Sequence, residues 1–324
     1  MATTRSDSKA GLERALEGYR RELTGYCYRM LGSGFEAEDA VQETMVRAWR
    51  GIDRLDAPAA MRSWLYRIAT NVCLDMLKGT QRRARPMDLG PSSTADSPLD
   101  GGLPEHMWVQ PWPDDRLLPD DADPAELTAL RETIRLAFVA ALQHLPPRQR
   151  AVLVLREVLR WKANEVAALL DTSIASVNSA LQRARATIDA LDLDAAALHA
   201  EPGEREVVDR YVDAFQRYDV DAIVGMLRED VAFSMPPHRL WLTGPEHVRA
   251  WLLGPGAACA GSRVIELEAC GGPAYAHYKP AADGVYEPFA ITLVEVRDGR
   301  IAALHNFLEP ELFPGFGLPP RLTG

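Results

Sequence analysis

The stretch from Ala163 to Arg185 constrains the fold of this chain more than any other part of the sequence. Its apolar residues recur at helical spacing in two groups, which a polar turn at 171–173 separates. Two short helices joined by a tight turn are the layout of a helix-turn-helix, whose second helix enters the major groove of DNA. An ordinary helical hairpin in a bundle is the alternative. The first apolar stripe comprises Val166, Ala167 and Leu170, and the second comprises Ile174, Val177 and Leu181.

Length and composition favour a globular protein of several domains. A chain of 324 residues with 47% hydrophobic side chains has enough material for about two or three domains. No run approaches the roughly 18 apolar residues that a membrane span requires, and the opening MATTRSDSKAGLER lacks the apolar core of a signal peptide. We therefore expect a cytoplasmic protein with no membrane partner. The four cysteines show no CxxC or CxxH pairing, which predicts reduced thiols and no metal site.

Charge is sorted along the chain rather than spread evenly. Residues 1–90 carry a net charge of +3 and residues 131–190 carry +4, whereas residues 91–130 carry −8 and residues 191–324 carry −9. The total of −10 therefore hides two mildly basic blocks that flank an acidic strip. Because the basic blocks are the helical ones, the total charge does not argue against a nucleic acid partner.

Two motifs in the helical blocks resemble regions 2 and 4 of the extracytoplasmic-function (ECF) class of bacterial RNA polymerase sigma factors. The first motif is EAEDAVQETMVRAWR, which begins at Glu36, followed by RSWLYRIATNVCLDMLKGTQRR from Arg62. The second motif is LPPRQRAVLVLREVLRWKANEVAALLDTSIASVNSALQRAR, at Leu145–Arg185. The two motifs occur in the order of the family and with its spacing, which makes a chance similarity improbable.

The resemblance implies that region 2 binds the polymerase core, through the coiled coil of the β′ subunit, and that region 4 meets the β flap. The polar face of the helix predicted over Glu36–Arg50 matches the β′-docking surface, although a solvated helix face is the alternative. The predicted docking residues are Glu38, Asp39, Gln42 and Glu43.

The helix Met61–Lys78 resembles the element that melts and reads the −10 promoter element. Melting requires flat rings that stack on exposed bases and cations that hold phosphates, and a place in the core is the alternative for Trp64. The loop Arg54–Arg62 resembles the loop that pockets an extruded base. Arg85 joins the basic end of this block as a phosphate contact. The predicted −10 residues are Arg62, Trp64, Tyr66, Arg67, Asn71, Arg82 and Arg83.

Region 4 of the family reads the −35 element in duplex DNA. This sequence has Asp171 where Gly is usual in the turn, and Asp tolerates left-handed backbone better than most residues. Asn178 and Ala180 replace common basic residues, which predicts a weaker grip on phosphates. By side-chain chemistry and predicted exposure, the −35 residues are Ser176, Asn178, Ser179, Gln182, Arg183 and Arg185.

Residues 86–130 read as a linker, because eight prolines and a run of acids oppose a packed domain. Trp108 and Trp112 are costly to leave in water, so we expect them to dock on another domain or on polymerase. The resemblance implies that the linker threads the channel used by template and nascent RNA, where an acidic strip would mimic nucleic acid. A solvated tether is the alternative.

The remaining residues, 196–324, are numerous enough for another domain. Predicted helices are followed by predicted strands, with Asp298-Gly299 as a hairpin turn. The segments YVDAFQRYDVDAIVGMLREDVAFSMPP and WLTGPEHVRAWL resemble the SnoaL-like (NTF2-like) fold, a cone-shaped α+β domain. The helices are Glu204–Phe215, Val220–Leu227 and Pro245–Leu253, and the later strands are Arg263–Ala269, Ala274–Tyr278, Pro288–Val296 and Ile301–Leu308.

That fold forms a pocket, in which some relatives catalyse cyclase or isomerase reactions with an Asp and a His. No Asp is placed beside a histidine by this sequence alone, and an isolated His on a strand is usually structural. We therefore expect a regulatory domain, with a small-molecule ligand as a possible occupant, rather than a catalyst. The predicted pocket residues are Tyr211, Trp241, Tyr275, His277 and His305.

The sequence therefore predicts a multidomain protein with two all-α sigma domains, the region 2 bundle and the region 4 helix-turn-helix, followed by an α+β SnoaL-like cone domain. The predicted function is that of a sigma factor with no catalysis and no cofactor, regulated in cis by its last domain. A SnoaL-like enzyme fused to DNA-binding segments and a repressor that acts without polymerase are the alternatives. The predicted boundaries are 1–85, 86–130, 131–195 and 196–324.

Overall fold

The computed structural model describes residues 14–52, 60–79, 82–99, 101–119, 122–191, 199 and 203–323. The first of two compact units comprises Met1–Gln81, Asp115–Leu130 and Ala141–Asp192, and the second comprises Arg82–Asp114, Arg131–Ala140 and Leu193–Gly324. The described residues form only helices and turns as regular structure up to residue 225, apart from isolated β-bridges, and a sheet with one further α-helix after it, which confirms the predicted fold class. The four domain boundaries stay a prediction.

Helices account for most of the described residues that precede the sheet. They are α1 (Arg20–Leu31), α2 (Gly34–Gly51), α3 (Met61–Met76), α4 (Asp114–Leu117), α5 (Pro124–Glu132), α6 (Leu136–Leu142), α7 (Pro147–Leu153), α8 (Ala163–Leu169), α9 (Ile174–Asp189), α10 (Glu204–Arg217) and α11 (Val220–Gly225). A π-helical segment, Val154–Val158, continues α7. Among these described residues, no helix is both long enough and apolar enough to span a bilayer.

The turn between α1 and α2 follows from two residues of the sequence. Gly32 adopts left-handed backbone (φ 76°), and its N–H donates to the Tyr28 carbonyl, which ends α1. Ser33 then caps α2, because its side chain accepts from the Glu36 N–H. The buried face of α2 carries small residues, so α1 and α3 can pack closely against it. The Tyr26 hydroxyl of α1 and the Thr70 hydroxyl of α3 lie 2.8 Å apart in this core.

The helix-turn-helix is formed by α8 and α9, as predicted. Asp171 has left-handed backbone (φ 50°), and the Ser173 side chain accepts from the Ser176 N–H to cap α9. Val177 and Leu181 are buried, but Ile174 is 49% exposed, which contradicts its predicted place in the buried stripe. Ile174 is the first residue of α9, where the preceding turn leaves its side chain in solvent.

A buried arginine joins two groups of helices in the first unit. We call α1–α3 the α1–α3 half and α7–α9 the helix-turn-helix half. The Arg150 side chain is 3% exposed and donates to the Met30 carbonyl at the end of α1. It also donates to the Gln143 side chain (2.6 Å) and to the carbonyls of Gln143 (3.3 Å) and Leu145 (3.2 Å). Burial lowers the pKa of Arg150 to about 10, so the guanidinium stays charged at neutral pH. The helix-turn-helix half and the α1–α3 half therefore belong to one unit.

The second unit is built on a twisted sheet with the strand order β2-β1-β6-β5-β4-β3. Strands β1 and β6 are parallel and the other pairs along this path are antiparallel. The predicted hairpin turn is present between β5 and β6, with both Asp298 and Gly299 at positive φ. The elements are β1 (Leu227–Ser234), β2 (Trp241–Thr243), α12 (Pro245–Leu253), β3 (Arg263–Ala269), β4 (Gly272–Pro280), β5 (Val285–Arg297), β6 (Arg300–Phe307) and β7 (Leu322–Thr323), the last paired with β5.

The two faces of this sheet have different neighbours. The inner face belongs to a buried core that Tyr211 and Phe215 of α10 share with Phe233, Val294 and Leu304 of the sheet. Side chains alternate along a strand, so the residues that follow these three in sequence point to the opposite, outer face. The outer-face residues adjoining them are Ser234, Glu295 and His305.

The proline-rich segment before residue 115 is packed within the second unit. Trp108 and Trp112 are fully buried within the second unit. The Trp108 indole donates to the Leu103 carbonyl (3.3 Å) inside the linker, whereas Trp112 docks beyond the linker, as predicted. Trp112 lies against Phe316, and its carbonyl accepts from the Cys270 N–H (3.2 Å). The segment thus lies along the sheet domain although it forms little regular structure of its own.

Two buried carboxyls in the second unit have raised pKa values. Burial is the main cause for Asp114, whose pKa rises to about 6, and the charge of Glu268 adds to it, whereas the hydrogen bond from the Gly271 N–H opposes it. Burial also raises the pKa of Glu309 to about 7, with the charge of Glu105 adding to the shift. A raised pKa in the folded state means that the folded protein holds protons that the unfolded chain releases.

We predict that the second unit loses stability as the pH rises from about 4 to 7. Asp114 and Glu309 each contribute stability that is complete below about pH 4 and lost as the pH passes their folded pKa values, about 3 kcal/mol each at 1.36 kcal/mol per pKa unit. The double variant Asp114→Asn and Glu309→Gln should flatten this slope in urea unfolding at pH 5 and pH 7.5. Asp209→Asn, at an exposed site, should leave the slope unchanged; an unchanged slope in the double variant would contradict the assignment.

Candidate nucleic-acid interface

The predicted polymerase-docking residues form one surface of α2. Glu38 and Gln42, and likewise Asp39 and Glu43, are four residues apart and therefore lie on the same helix face. Asp39 and Gln42 are exposed, and the side chains of Glu38 and Glu43 are 44% and 46% exposed. A cleft of about 810 Å³ opens beside them, between α1 and α2, with residues 115 and 116 on its rim. The structure thus brings the four residues together on an accessible acidic surface.

Helix α3 carries the predicted −10 residues, but Tyr66 is not available on its surface. The Tyr66 ring is fully buried between Tyr26 (5.1 Å between centroids) and Trp161 (5.0 Å), and its hydroxyl donates to the Glu22 carboxylate (2.9 Å). The prediction that Tyr66 stacks on a base is wrong for this conformation. The reason is Trp161, which precedes α8 and covers the ring from the other half of the unit.

Two predicted −10 cations also contact their own chain. Arg62 pairs with Glu22, and its guanidinium carbon lies 5.4 Å from the ring centres of both Tyr66 and Trp161. Arg67 donates to the carbonyl of Ala168 in α8. These contacts tie α3 to the helix-turn-helix half through the side chains that were predicted to hold DNA.

The other predicted −10 residues differ in their accessibility. Asn71 and Arg82 are exposed, and Trp64 is partly buried, with its ring next to Gly51. Arg83 is 4% exposed and donates to the carbonyls of Glu105 (3.0 Å) and Trp108 (2.8 Å), which contradicts its predicted contact with phosphate. A buried guanidinium that already donates hydrogen bonds to two carbonyls is not available to bind DNA. The Arg85 side chain donates to the Asp88 carboxylate. Most of the loop Arg54–Arg62, predicted to hold an extruded base, lies outside the described residues.

The predicted −35 residues all lie on the open side of α9. Each is exposed, while Val177, Leu181 and Ala184 on the other side are buried. Arg183 donates to the Ser179 hydroxyl (2.6 Å). Arg185 pairs with Glu157 (2.7 Å), a partner that the sequence did not indicate. Exposed ion pairs are weak, so DNA phosphates can replace Glu157. The set is Ser176, Asn178, Ser179, Gln182, Arg183 and Arg185.

The structure does not bring the five predicted pocket residues together. Tyr211, Tyr275 and His277 meet on the inner face, where the Tyr275 hydroxyl donates to the Tyr211 hydroxyl (3.3 Å). His305 and Trp241 instead flank Ser234 on the outer face, and the Trp241 indole donates to the Gly90 carbonyl (3.0 Å). Strand alternation explains the split, because the face of a strand residue depends on a register that the sequence does not show.

His277 is held in an apolar setting. Its ring is 5.0 Å from Phe215 and 5.1 Å from Phe289, both edge-on. Burial, with the charge of Lys279 as a second cause, lowers the pKa of His277 to about 3. The imidazole is therefore neutral across the physiological range.

Ser234, His305 and Glu295 form a connected row on the outer face. The Ser234 hydroxyl lies 2.9 Å from Nδ1 of His305, and Nε2 of His305 lies 3.2 Å from the Glu295 carboxylate. Although burial by itself raises it, the pKa of Glu295 falls to about 2, because His305, Arg85 and Arg297 stabilise the carboxylate. Ser234 and His305 are 0% and 2% exposed, so this row is closed to a substrate. Among the described residues, no group of His, Cys, Asp and Glu is placed to hold a metal.

Three family models match this chain. Sigma-70 region 2 matches residues 15–83, Sigma-70 region 4 matches residues 135–188, and the SnoaL-like domain matches residues 208–304. The ECF RNA polymerase sigma factor SigG of Mycobacterium tuberculosis strain H37Rv is 43% identical over 314 residues, which cover 94% of this chain and 83% of that protein. SigJ of the same strain is 29% identical over 94% of both chains. The crystal structure of Mycobacterium tuberculosis SigJ has a TM-score of 0.59 and 25% identity, covering 96% of this chain and 99% of SigJ.

We predict a measurable coupling between Tyr66 and Trp161 in solution. Aromatic pairs at this separation contribute about 0.5–1.5 kcal/mol beyond the area that they bury. A double-mutant cycle with Tyr66→Leu and Trp161→Leu, read by urea unfolding, should return a coupling in that range. A second cycle that pairs Tyr66→Leu with Ile174→Ala, at an exposed site, should be additive. Additivity in both cycles would show that the two rings do not touch.

Proposed function

This chain belongs to the family of ECF RNA polymerase sigma factors, and we propose that it directs promoter-specific transcription initiation through the surfaces described above, under control of its C-terminal domain. Members of this family bind core polymerase and promoter DNA. The observation that carries the proposal is that one helical unit exposes both the acidic surface of α2 and the polar side of α9. The proposed function would be carried out in the cytoplasm, where RNA polymerase acts.

We assign polymerase docking to Glu38, Asp39, Gln42 and Glu43. Carboxylates on one helix face suit a basic partner, and the β′ coiled coil is the partner that the region 2 match indicates. Region 4 would meet the β flap. The −35 element would be read by α9, whose Arg, Gln and Asn side chains can bond to base edges.

The −10 element would be read by α3 after a rearrangement. In the structure, Arg62, Tyr66 and Arg67 are engaged with Trp161 and Ala168. The two promoter elements lie about 25 base pairs apart, or about 85 Å at 3.4 Å per base pair. A compact unit of about 150 residues has a radius of gyration of only about 15 Å. The α1–α3 half and the helix-turn-helix half must therefore separate before both elements can be bound, and Arg62, Tyr66 and Arg67 become available when they do.

The C-terminal domain would control this opening in cis. Support comes from the first part of the linker. Residues 82–114, which include its start at residue 86, belong to the same unit as the sheet, and Trp108 and Trp112 are fully buried there. A domain that holds the linker can restrain the two DNA-binding halves that the linker joins. A small-molecule ligand that binds the SnoaL-like domain could set that restraint.

An enzyme of the SnoaL-like type is the second candidate, and one observation favours it. Ser234, His305 and Glu295 have the connectivity of a nucleophile, a base and an orienting acid. Their burial argues for a structural network, so we propose that the chain has no catalytic activity. Turnover of a small molecule that the His305→Ala substitution abolishes would reverse this assignment.

Charge reversal on α2 tests the docking assignment. Glu38→Arg, Asp39→Arg and Glu43→Arg together should reduce the affinity for core polymerase by at least tenfold, because each replaces attraction by repulsion. Co-elution with core and fluorescence anisotropy give the readout, and circular dichroism checks the fold. The matched control reverses three exposed acids of the second unit, Glu206, Asp209 and Asp213. Undiminished binding by the α2 variant would contradict the assignment.

Removal of the C-terminal domain tests regulation in cis. A chain truncated near residue 195 should differ from the full chain in core binding and in transcription from a cognate promoter, because its linker is no longer held. The milder substitution Trp112→Ala should shift both readouts in the same direction. Identical behaviour of all three proteins would rule out control by this domain.

A further inference from the structure

A short segment of the linker is packed against the proposed polymerase-docking region. We call residues 115–118, which follow the packed part of the linker, the strap. Leu117 and Leu118 of the strap are 2% and 5% exposed, in a part of the chain that is otherwise rich in acids and prolines. The Leu117 carbonyl lies so close to Gly25 of α1 that a Cβ atom at Gly25 would collide with it. Gly25 therefore permits the strap to lie directly on α1.

The strap also places one charge on the docking surface. Arg116 is the only basic residue among the 40 residues 91–130, which contain nine acids. Its guanidinium lies 3.7 Å from the Glu38 carboxylate, and it forms the rim of the cleft together with Glu38, Asp39 and Gln42. An arginine in this position offers the acidic surface the same chemistry that a basic polymerase helix would offer.

The chain is held on either side of the strap. Just before it, Asp114 accepts a hydrogen bond from the Gly271 N–H (2.8 Å), and Pro113 forms a β-bridge with Ala269. Twelve residues after it, the Leu130 carbonyl accepts from Arg29 of α1 (3.3 Å), and Arg29 also donates to the Gly25 carbonyl. The strap itself is held on the first unit by the close approach of Leu117 to Gly25 and by the burial of Leu117 and Leu118.

We propose that the strap is an autoinhibitory element that competes with core polymerase for the acidic surface of α2. This inference rests on the proposed function, because it assumes that polymerase docks at Glu38, Asp39, Gln42 and Glu43. Polymerase must displace Arg116 from Glu38 and lift Leu117 from Gly25 before it can bind. Pro113 and Asp114, which directly precede the strap, are anchored on the sheet domain, so the strap is continuous with a segment that this domain holds.

Gly25→Ala tests the strap without weakening the helix that carries it. The added methyl group displaces the Leu117 carbonyl and comes within 3.1 Å of the Arg29 guanidinium. Alanine has a higher helix propensity than glycine, so α1 itself is not weakened. We expect the Gly25→Ala full-length protein to bind core polymerase about tenfold more tightly than the unchanged chain. Arg116→Ala removes only the ion pair, so we expect a gain of about two- to fivefold, the range of an exposed pair.

Two matched controls accompany these variants. Gly225→Ala makes the same substitution in α11, where the new methyl group meets no neighbour within 4 Å. Arg217→Ala removes an exposed arginine that pairs with Asp213 in the second unit. Both controls should bind core polymerase with the affinity of the unchanged chain. Hydrogen exchange should show faster exchange at residues 115–118 in Gly25→Ala, with α1 still protected.

The outcomes separate the strap from the docking assignment. If Gly25→Ala and Arg116→Ala bind polymerase no more tightly than the unchanged chain, while charge reversal on α2 still abolishes binding, the strap is refuted and the proposed function stands. If charge reversal on α2 has no effect, the docking surface is misplaced and the strap is refuted with it. Tighter binding by both strap variants, together with unchanged controls, establishes autoinhibition.

Discussion

The buried Arg150 guanidinium is the interaction on which the arrangement of the helical unit depends. It joins the last turn of α1 to the backbone around Gln143 and Leu145, so that one charge holds two segments that are more than 100 residues apart in sequence. Burying a cation is costly unless its donors are satisfied, and a hydrogen bond from a charged group typically contributes about 1.5–3 kcal/mol to stability. Separation of the two halves must therefore supply new partners or water for this group. The α1–α3 half and the helix-turn-helix half are closed against each other for that physical reason.

In the closed helical unit, the proposed −35 residues are exposed and two of the proposed −10 residues are covered, which implies an order in which they would act. The side chains that are suited to single-stranded DNA, Tyr66 and Arg62, lie under Trp161, whereas the side chains of α9 that are suited to duplex DNA are exposed. Docking on polymerase and reading of the −35 element can thus begin before the −10 residues are released. Competition for the acidic surface of α2 would add a second level of restraint. Under the proposed function, a sigma factor built in this way would stay inactive until a partner replaces its internal contacts.

The sequence was sufficient wherever local chemistry decides the structure. Asp171 and Ser173 specify the turn and cap of the helix-turn-helix, Asp298-Gly299 specifies a hairpin, and two tryptophans in a polar linker had to be buried. It was insufficient where residues distant in sequence meet. Nothing near Tyr66 indicates that Trp161 covers it, and nothing near Arg83 indicates the carbonyls of Glu105 and Trp108. The pairing of the strands, which puts His305 opposite Leu293 and His277 opposite Ala290, likewise separates the two histidines onto different faces.

The distance between the two DNA-binding halves tests the central claim most directly. Spin labels at Lys78 and Asp189, both exposed, can be introduced with Cys259→Ser, because the other three cysteines are buried. In the free chain, double electron–electron resonance should give one distance within the span of a compact unit, about 40 Å or less for about 150 residues. Binding to core polymerase and promoter DNA should lengthen it by tens of Å, toward the roughly 85 Å between the promoter elements. An equally short distance in the promoter complex, or an already long one in the free chain, would contradict the claim that this protein opens to act.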